Sequence, residues 1–446
     1  MLSLRVCSTF TSTLHPNIRR ERATEFRCSQ STSANYYRVS SHNEMTAATK
    51  FVFAPTTTLR AHSWHIRAHV GLILSRARIA SLLQPLMRKR TTTRLIHNAT
   101  NHDENTLYIL GVGNLGKYVA YALAKHVPDQ PVTLLFHREG LLHEWDAAGR
   151  TIECIEDGES SREGSFAVEV LSSSDIAEKD NESQVCSGPP IKHLIVATKT
   201  YNTTAALRRV RSRLSRESNI LFLQNGMGAT DEVSAALFPD PHSRPSYYAG
   251  ICYAGIYSKP PFGFVHAGRG ALTLGQVDSL EDAVSARRTA RDNILLHSLS
   301  AAGPTLGTEL VTPMQLRVAQ LYKLAVNSTI NPFSVVFNCK NGRVVESETQ
   351  REALNQLLLH ETGPILRALL PDGVPTHLRD MFQHDKLVEL VFQVAKDTAN
   401  NFSSMLQDVR AGRQTEVDYI NGYLVRKAED HGIETPRNAG LAEFVK

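Results

Sequence analysis

Short apolar runs alternate with longer amphipathic stretches from residue 105 to residue 312. The most continuous apolar runs have the length of strands buried on both faces and lie at 107–110, 131–136, 193–198 and 219–224. Weaker strand-like segments follow at 247–257, 263–266 and 271–275. The alternation predicts an α/β domain over 105–312 built on a parallel sheet.

Helical periodicity replaces this alternation after residue 312. The predicted helices cover 314–331, 346–370 and 379–399, and a final one starts near Glu416. We therefore predict an all-helical C-terminal domain over 313–446. A polar stretch at 156–190, rich in Ser, Glu, Asp and Gly, is interpreted as a surface insertion into the first domain, with one short strand at 166–171.

A glycine motif directly follows the first predicted strand. Residues 111–116 read Gly-Val-Gly-Asn-Leu-Gly, and a helical stretch begins at Lys117. Gly111 permits a tight strand-to-helix turn, Gly113 lets the backbone approach a pyrophosphate, and Gly116 lets the helix pack closely on the strand. An ordinary glycine-rich turn is the alternative. The strand before the motif and the helix after it favour a Rossmann-type dinucleotide-binding domain.

The residues after the second strand bear on the choice of dinucleotide. An acidic residue there would bind a ribose 2′-hydroxyl, whereas this chain has His137 and Arg138. A guanidinium can pair with a 2′-phosphate in bidentate fashion, so the sequence favours NADPH/NADP over NADH. A solvated surface arginine is the alternative interpretation.

Polar residues also end two later strands of the predicted sheet. Lys199 follows the strand at 193–198, and Asn225 follows the strand at 219–224. Ligands of open α/β sheets bind outside the carboxyl ends of the strands. Both side chains are therefore predicted to face the cofactor crevice.

Three polar residues share one face of the first C-terminal helix. Lys323, Asn327 and Asn331 are spaced by four residues, which places them within an arc of about 80°. A solvated stripe would favour Glu, Lys and Gln, because asparagine is a mediocre helix former. We interpret the face as the lining of a cleft.

Two helix starts are predicted further along the chain. Ser404 with Gln407, and Thr415 with Asp418, have the spacing of a capping box, and Gly412 between them is a helix stop. Glu416 would then lie in the first turn of the last helix, where the helix dipole favours its ionised form.

Charge and composition set the first hundred residues apart. Residues 1–100 contain 13 Arg and 2 Lys against 3 Glu, within a chain of net charge +5. This basic, acid-poor composition predicts a disordered arm over 1–104 that acts as a mitochondrial presequence. One alternative is that the arm is disordered without a targeting role and the protein is cytoplasmic. Another is that translation starts at Met45. Such an arm contains no nucleic-acid readout module, so no nucleic acid is expected as a partner.

Other compositional signals are negative. The sequence contains no apolar segment long enough to predict a membrane span. Its six cysteines form neither a C-x-x-C pair nor a cluster with metal spacing, so neither a disulfide framework nor a metal site is expected.

The motifs together resemble the ketopantoate reductase family over residues 105–446. They are G-V-G-N-L-G at 111–116, N-G-M-G at 225–228, K-L-A-V-N-S-T-I-N-P at 323–332, S-S-M-L-Q-D-V-R at 403–410 and T-E-V-D-Y-I-N-G-Y-L at 415–424. The resemblance implies that Lys323 is the general acid and that Glu416 orients the substrate oxygen and the lysine. An ammonium near a ketone can both stabilise and protonate the alkoxide that hydride addition creates.

The resemblance also implies the binding residues. Lys199 and Asn225 match positions that reach the nicotinamide half of NADPH. The implied dinucleotide loop comprises Gly111, Gly113, Asn114, Leu115 and Gly116, and the implied substrate contacts are Asn327, Asn331, Asn341, Asn401 and Ser404.

Three functions remain open at the level of sequence. The first is NADPH-dependent reduction of 2-dehydropantoate (ketopantoate), a small-molecule substrate, to (R)-pantoate in pantothenate synthesis. The second is reduction of another 2-oxo acid by the same mechanism. The third is a non-enzymatic mitochondrial relative associated with RNA or ribosomes, which the basic arm suggests. The oligomeric state is also open, with a homodimer as the candidate.

Overall fold

The computed structural model describes residues 104–171, 188–277 and 293–446, which all belong to one compact unit. The predicted arm, apart from its last residue, lies outside the described residues. The described strands are β1 (Leu107–Leu110), β2 (Val132–Phe136), β3 (Ile152–Glu156), β4 (Glu159–Glu163), β5 (Ala167–Val170), β6 (His193–Val196), β7 (Asn219–Phe222), β8 (Ser246–Cys252), β9 (Gly255–Lys259), β10 (Gly263–Gly268), β11 (Leu272–Gln276) and β12 (Thr308–Leu310).

The described α-helices fall into two groups along the chain. Six accompany the strands, and eight follow them. They are α1 (Asn114–His126), α2 (Glu139–Ala147), α3 (Thr203–Arg208), α4 (Ala229–Leu237), α5 (Ile294–Ala301), α6 (Gly303–Leu306), α7 (Pro313–Val336), α8 (Glu348–Leu357), α9 (Gly363–Ala368), α10 (Thr376–Asp380), α11 (His384–Asp397), α12 (Ser404–Arg410), α13 (Asn421–Glu429) and α14 (Pro436–Val445).

An eight-stranded sheet forms the centre of the first part. Its order is β12-β11-β8-β7-β6-β1-β2-β5, and all neighbouring pairs are parallel except β8 with β11. The segment β5-β2-β1-β6-β7-β8 has the strand order of a Rossmann fold, which confirms the predicted fold class. β1 and β6 are buried along their whole length, as their continuous apolar runs predict.

A second, four-stranded sheet has the order β4-β3-β10-β9 and was not predicted. The range 247–257, which the sequence predicts as one strand-like segment, divides between β8 of the large sheet and β9 of the small one.

The range 156–190 is interpreted from sequence as a surface insertion, but its first residues belong to strands. β3 and β4 form a hairpin, and β5 completes the large sheet beside β2. The polar strand β4 is mostly exposed, which explains why its composition resembled a loop.

The small sheet is attached to α1 through a buried lysine. Lys117 is only 5% exposed, and its Nζ donates a hydrogen bond of 2.5 Å to the carbonyl oxygen of Gly263 at the start of β10. Burial lowers the pKa of Lys117 to about 8. The residue thus links the dinucleotide-loop helix to the small sheet.

The only regular secondary structure within residues 313–446, all of which the structure describes, is helical. α7 begins at Pro313 after a capping box made by Thr312 and Gln315, and it continues past Pro332 to Val336. The predicted helix at 346–370 is divided into α8, a π-helical turn at Leu358–Thr362 and α9, and the one at 379–399 into α10 and α11. Apolar residues of these helices form one core cluster around α7.

A chain of buried polar side chains crosses this helical core. Asn421, fully buried, donates from Nδ2 to the carbonyl oxygen of Ser328 at 2.8 Å and to Oδ1 of Asn438 at 3.0 Å. Asn438 in turn donates from its backbone N and Nδ2 to Oε2 of Glu361, at 2.8 and 2.9 Å. Glu361 lies on the π-helical turn and also accepts from the backbone N and Nη1 of Arg437. The network ties α7, α13 and the start of α14 together.

The described residues offer neither a membrane-spanning helix nor a cluster of metal ligands. None of their helices is long and apolar enough to cross a membrane. Nor do they contain a group of three or more His, Cys, Asp or Glu side chains that could hold a metal ion.

Candidate active site

A cleft of about 1400 Å³ lies at the carboxyl edge of the large sheet, between that sheet and the C-terminal helices. All but two of the residues that the sequence predicts for the site line this cleft, and the two exceptions are Gly116 and Arg138. Residues from both parts of the chain therefore meet at one place, as expected for ligands of open α/β sheets.

The glycine loop has the geometry that a dinucleotide loop requires. Gly111 has φ of +101°, and a Cβ there would lie 2.6 Å from the backbone N of Thr198. A Cβ on Gly116 would lie 2.0 Å from the carbonyl oxygen of Gly111, so Gly116 serves packing and does not line the cleft. A Cβ on Gly113 would meet nothing within 4 Å. The loop thus leaves open the approach to the N-terminus of α1, where backbone N–H groups favour phosphate.

Arg138 does not line the cleft and is paired with a carboxylate of α2. Its Nη2 forms an ion pair of 2.9 Å with Oε1 of Glu144, and its side chain is half exposed. Arg209, which sequence reasoning missed, lines the cleft and donates from Nη1 to the backbone oxygen of His137 at 3.0 Å. Burial, together with Arg138 and Arg209, lowers the pKa of His137. Two guanidinium groups thus lie near the end of β2, and one of them belongs to Arg209, the residue that follows α3.

Lys323 lies on α7 with Asn327 and Asn331, and all three line the cleft. The Nζ of Lys323 donates a hydrogen bond of 2.5 Å to the carbonyl oxygen of Cys252 and lies 5.3 Å from the ring centroid of Tyr253. Burial lowers the pKa of Lys323, while Cys252 and Glu416 oppose that effect. A lysine with a lowered pKa gives up its proton more readily, which suits a general acid.

Glu416 is held at the cleft by residues of the segments that follow β6 and β7 of the large sheet. Its Oε1 accepts from the backbone N of Thr200 at 3.1 Å and from the Thr200 hydroxyl at 2.8 Å. Its Oε2 lies 3.4 Å from Nδ2 of Asn225 and 3.5 Å from Nζ of Lys199. The side chain is 6% exposed. These contacts join residues that are far apart in the sequence.

The local setting predicted for Glu416 is wrong. Glu416 precedes a 3₁₀ turn at Val417–Tyr419, and α13 begins only at Asn421. The carboxylate is therefore not in the first turn of a helix, and its hydrogen-bond donors are Thr200 and Asn225 rather than the backbone of a helix N-terminus. The capping pattern at 415–418 reflects a turn in which the Thr415 hydroxyl accepts from the backbone N of Val417.

Lys199 lines the cleft but engages carboxylates of the C-terminal part. Its Nζ forms an ion pair of 2.7 Å with Oδ2 of Asp408, which sequence reasoning missed although it lies in a quoted motif. Arg413 contacts the other oxygen of Asp408 at 3.0 Å. Burial works against the charged form of Lys199, yet Glu416 and Asp408 outweigh it, so its pKa is raised. In this structure its ammonium is paired with the carboxylates of Asp408 and Glu416. The sequence predicts instead that it contacts the nicotinamide half of the cofactor.

The remaining predicted substrate contacts lie at the helical side of the cleft. Asn341 is buried, its backbone N donates to the carbonyl oxygen of Asn401 at 3.0 Å, and its Oδ1 has no hydrogen-bond partner among the described residues. Ser403, not the predicted Ser404, caps α12, because its hydroxyl accepts from the backbone N of Leu406 at 3.0 Å. Ser404 is exposed and lines the cleft together with Asn401. Polar groups suited to a carboxylate or hydroxyl therefore line the same cleft as Lys323.

Comparison with known proteins agrees with this arrangement. The family model described as "Ketopantoate reductase PanE/ApbA" matches residues 107–279, and its C-terminal counterpart matches residues 315–446. A probable 2-dehydropantoate 2-reductase of Schizosaccharomyces pombe is 30% identical over 355 residues, which cover 77% of this chain and 96% of the relative. A ketoisovalerate reductase of Gibberella fujikuroi is 26% identical and covers 78% of this chain and 84% of that protein.

A solved structure supports the fold. The ternary complex of D-mandelate dehydrogenase with NADH and anilino(oxo)acetate matches with a TM-score of 0.59 at 18% identity, covering 76% of this chain and 97% of that one. The two family models together span both parts of the described chain, and the Schizosaccharomyces pombe relative is matched over nearly its whole length. The chain therefore belongs to the ketopantoate reductase family.

Proposed function

We propose that this chain catalyses the NADPH-dependent reduction of ketopantoate to (R)-pantoate. The observation that carries the proposal is the meeting of Lys323 and Glu416 in the cleft that the glycine loop opens onto. The relatives named 2-dehydropantoate 2-reductase support the same substrate. The loop at 111–116 and the N-terminus of α1 would hold the dinucleotide phosphates.

The side chains of the cleft account for the rest of the reaction. When bound, the dinucleotide would supply a hydride to the ketone carbon. Lys323 donates a proton to the ketone oxygen, which would otherwise carry a full negative charge. Glu416 is fixed by Thr200 and Asn225, and its proximity favours the charged form of Lys323. The unpartnered Oδ1 of Asn341 can accept a hydrogen bond from a substrate hydroxyl.

A substrate panel tests this function on the full-length chain. Loss of NADPH absorbance is followed with ketopantoate, ketoisovalerate and other 2-oxo acids. Ketoisovalerate lacks the hydroxyl of ketopantoate and would leave buried amide groups such as Asn341 unpaired. We therefore expect kcat/KM to favour ketopantoate by at least ~100-fold. Absence of turnover with every 2-oxo acid would favour the non-enzymatic alternative.

The ketoisovalerate reductase relative supports a second candidate, reduction of ketoisovalerate. Both substrates share the carboxylate and the ketone, so Lys323 would act in the same way on either. The ratio of kcat/KM values separates the two candidates. A ratio near one, or one in favour of ketoisovalerate, would assign the second function.

The preference for NADPH rests on the cations at the end of β2. Arg138 would have to exchange Glu144 for a 2′-phosphate, whereas Arg209 already lines the cleft. We expect Arg138→Ala and Arg209→Ala each to raise the KM for NADPH more than the KM for NADH, because only NADPH carries the extra phosphate. Unchanged KM ratios in both variants would contradict the preference.

We further propose that residues 1–100 direct the chain to mitochondria. Their strong positive charge supports this proposal, and every predicted site residue lies after them in the sequence. A fluorescent protein fused to residues 1–100 should co-localise with a mitochondrial marker. Cytosolic fluorescence would contradict the proposal, and loss of kcat/KM on deleting residues 1–100 from a folded protein would show that they belong to the enzyme.

A further inference from the structure

The ammonium of Lys323 is held by the last residue of β8, Cys252, and by the residue that follows it. The carbonyl oxygen of Cys252 accepts one of its hydrogens at 2.5 Å, and the ring of the next residue, Tyr253, lies 5.3 Å from Nζ at the ring centroid. Tyr253 is 47% exposed and lines the same cleft. Among the described residues no carboxylate lies within ion-pair distance of Lys323, although Glu416 is near enough to influence its charge. The segment 252–253 is therefore its direct anchor.

We propose that Tyr253 is a positioning residue whose ring holds the Lys323 ammonium, in its charged form, toward the substrate oxygen. This inference rests on the proposed function and adds a residue to it. A cation above an aromatic face is attracted by the ring quadrupole, and the attraction is lost when the amine is neutral. The ring thus favours the protonated lysine, which is the form a general acid needs.

The geometry leaves the lysine able to react. The Cys252 carbonyl accepts one hydrogen bond from the ammonium, which carries three hydrogens, and an aromatic ring face forms no conventional hydrogen bond with the others. The remaining hydrogens can reach a substrate oxygen in the cleft. A carboxylate in the place of Tyr253 would bind the ammonium more tightly and hold it back from the substrate.

The charged and titratable groups around Lys323 are few. Cys252 and Glu416 favour its charged form, and burial opposes it more strongly. The pKa of Tyr253 is raised to about 12 by burial, with contributions from Tyr322 and Glu309. Tyr253 is therefore a neutral phenol over the working range, and it acts on Lys323 through its ring rather than through a charge.

The experiment compares Tyr253→Phe, which keeps the ring, with Tyr253→Leu, which removes it. Lys323 is titrated in the ligand-free full chain by the pH dependence of its acetylation with trace acetic anhydride, quantified by mass spectrometry. We expect Tyr253→Leu to lower the midpoint by about half a pH unit and Tyr253→Phe to leave it unchanged. Tyr257→Leu is the matched control, since Tyr257 is a similarly exposed tyrosine (46%) of the same cleft, whereas the Lys323 ammonium lies over the ring of Tyr253.

The alkaline limb of the pH profile of kcat for ketopantoate should move in the same direction as the acetylation midpoint. An unchanged midpoint in Tyr253→Leu, or an equal shift in Tyr253→Phe, would overturn the role of the ring. A shifted acetylation midpoint in a protein that reduces no 2-oxo acid would overturn the proposed function and leave the contact between the ring and the ammonium in place. Circular dichroism checks that each variant is folded.

Discussion

Two glycines of the dinucleotide loop should respond to the same substitution in different ways. In Gly116→Ala the new Cβ would lie 2.0 Å from the carbonyl oxygen of Gly111 and 3.4 Å from Cβ of Ala197. Because the nearest atom belongs to the backbone, no side-chain rotation can relieve the clash. α1 would have to move by about 1 Å within a close-packed interior. In Gly113→Ala the Cβ meets nothing within 4 Å, and the extended backbone there (φ −75°, ψ −167°) suits alanine.

The magnitudes follow from these contacts. Overpacking a well-packed core costs about 1–3 kcal/mol, and a backbone clash belongs at the upper end, so Gly116→Ala should lower the free energy of unfolding by at least ~3 kcal/mol. Gly113→Ala should change it by less than ~0.5 kcal/mol. Its Cβ would instead occupy the space through which a pyrophosphate approaches, and we expect dinucleotide affinity to fall by ~10-fold or more.

Urea unfolding and titration of NADPH fluorescence measure the two quantities separately. Each variant serves as the control for the other, since one tests packing and the other tests ligand approach. A wild-type urea midpoint in Gly116→Ala would refute the packing argument. Wild-type NADPH affinity in Gly113→Ala would show that the phosphates do not pass this glycine.

Three further variants test other parts of the molecule. Lys323→Ala should lower kcat by at least ~100-fold while NADPH titration shows unchanged binding, because the general acid is lost; near-normal kcat would remove Lys323 from the mechanism. Glu361→Gln should lower the free energy of unfolding, measured with urea, by at least ~3 kcal/mol, because the backbone N–H and the Nδ2 group of Asn438 would both face an NH₂ group. A urea midpoint equal to that of the wild type would contradict this. Lys117, with its pKa lowered from 10.5 to about 8, should be neutral in the folded chain and charged in the unfolded chain between those values. Unfolding then takes up a proton. The free energy of unfolding of the wild type should therefore rise relative to that of Lys117→Met by on the order of 3 kcal/mol between pH 8 and pH 10.5. A difference between the two proteins that does not change with pH would refute this prediction.

Sequence predicted the features that depend on neighbouring residues. The turn at Gly111 and the shared face of Lys323 and Asn327 follow from local spacing, and the structure has both at the cleft. The setting of Glu416 could not be predicted, because its partner Thr200 lies 216 residues away in the chain.

The same limit applies to the anchor of Lys323. The acceptor is a backbone carbonyl of Cys252, 71 residues distant, and every residue type carries such a carbonyl. Asp408 lies in a recognised motif, after the capped start of α12, so the sequence could have singled it out. Only its ion pair with Lys199 shows that it belongs to the site. The strand β4 was missed because an exposed strand of polar residues has no apolar alternation to detect.

The small sheet sets the order in which the dinucleotide cleft can be completed. β9 and β10 supply Gly255, Tyr257 and Ala267 to the cleft wall. β10 pairs with β3, and the paired residues Glu153 and Gly263 lie roughly 110 residues apart in the chain. During synthesis the glycine loop therefore emerges long before its facing wall exists, and closing so long a loop is entropically slow. A newly made chain should acquire its cofactor late, after β10 has joined β3, so that dinucleotide binding reports the end of folding of the first domain rather than its beginning.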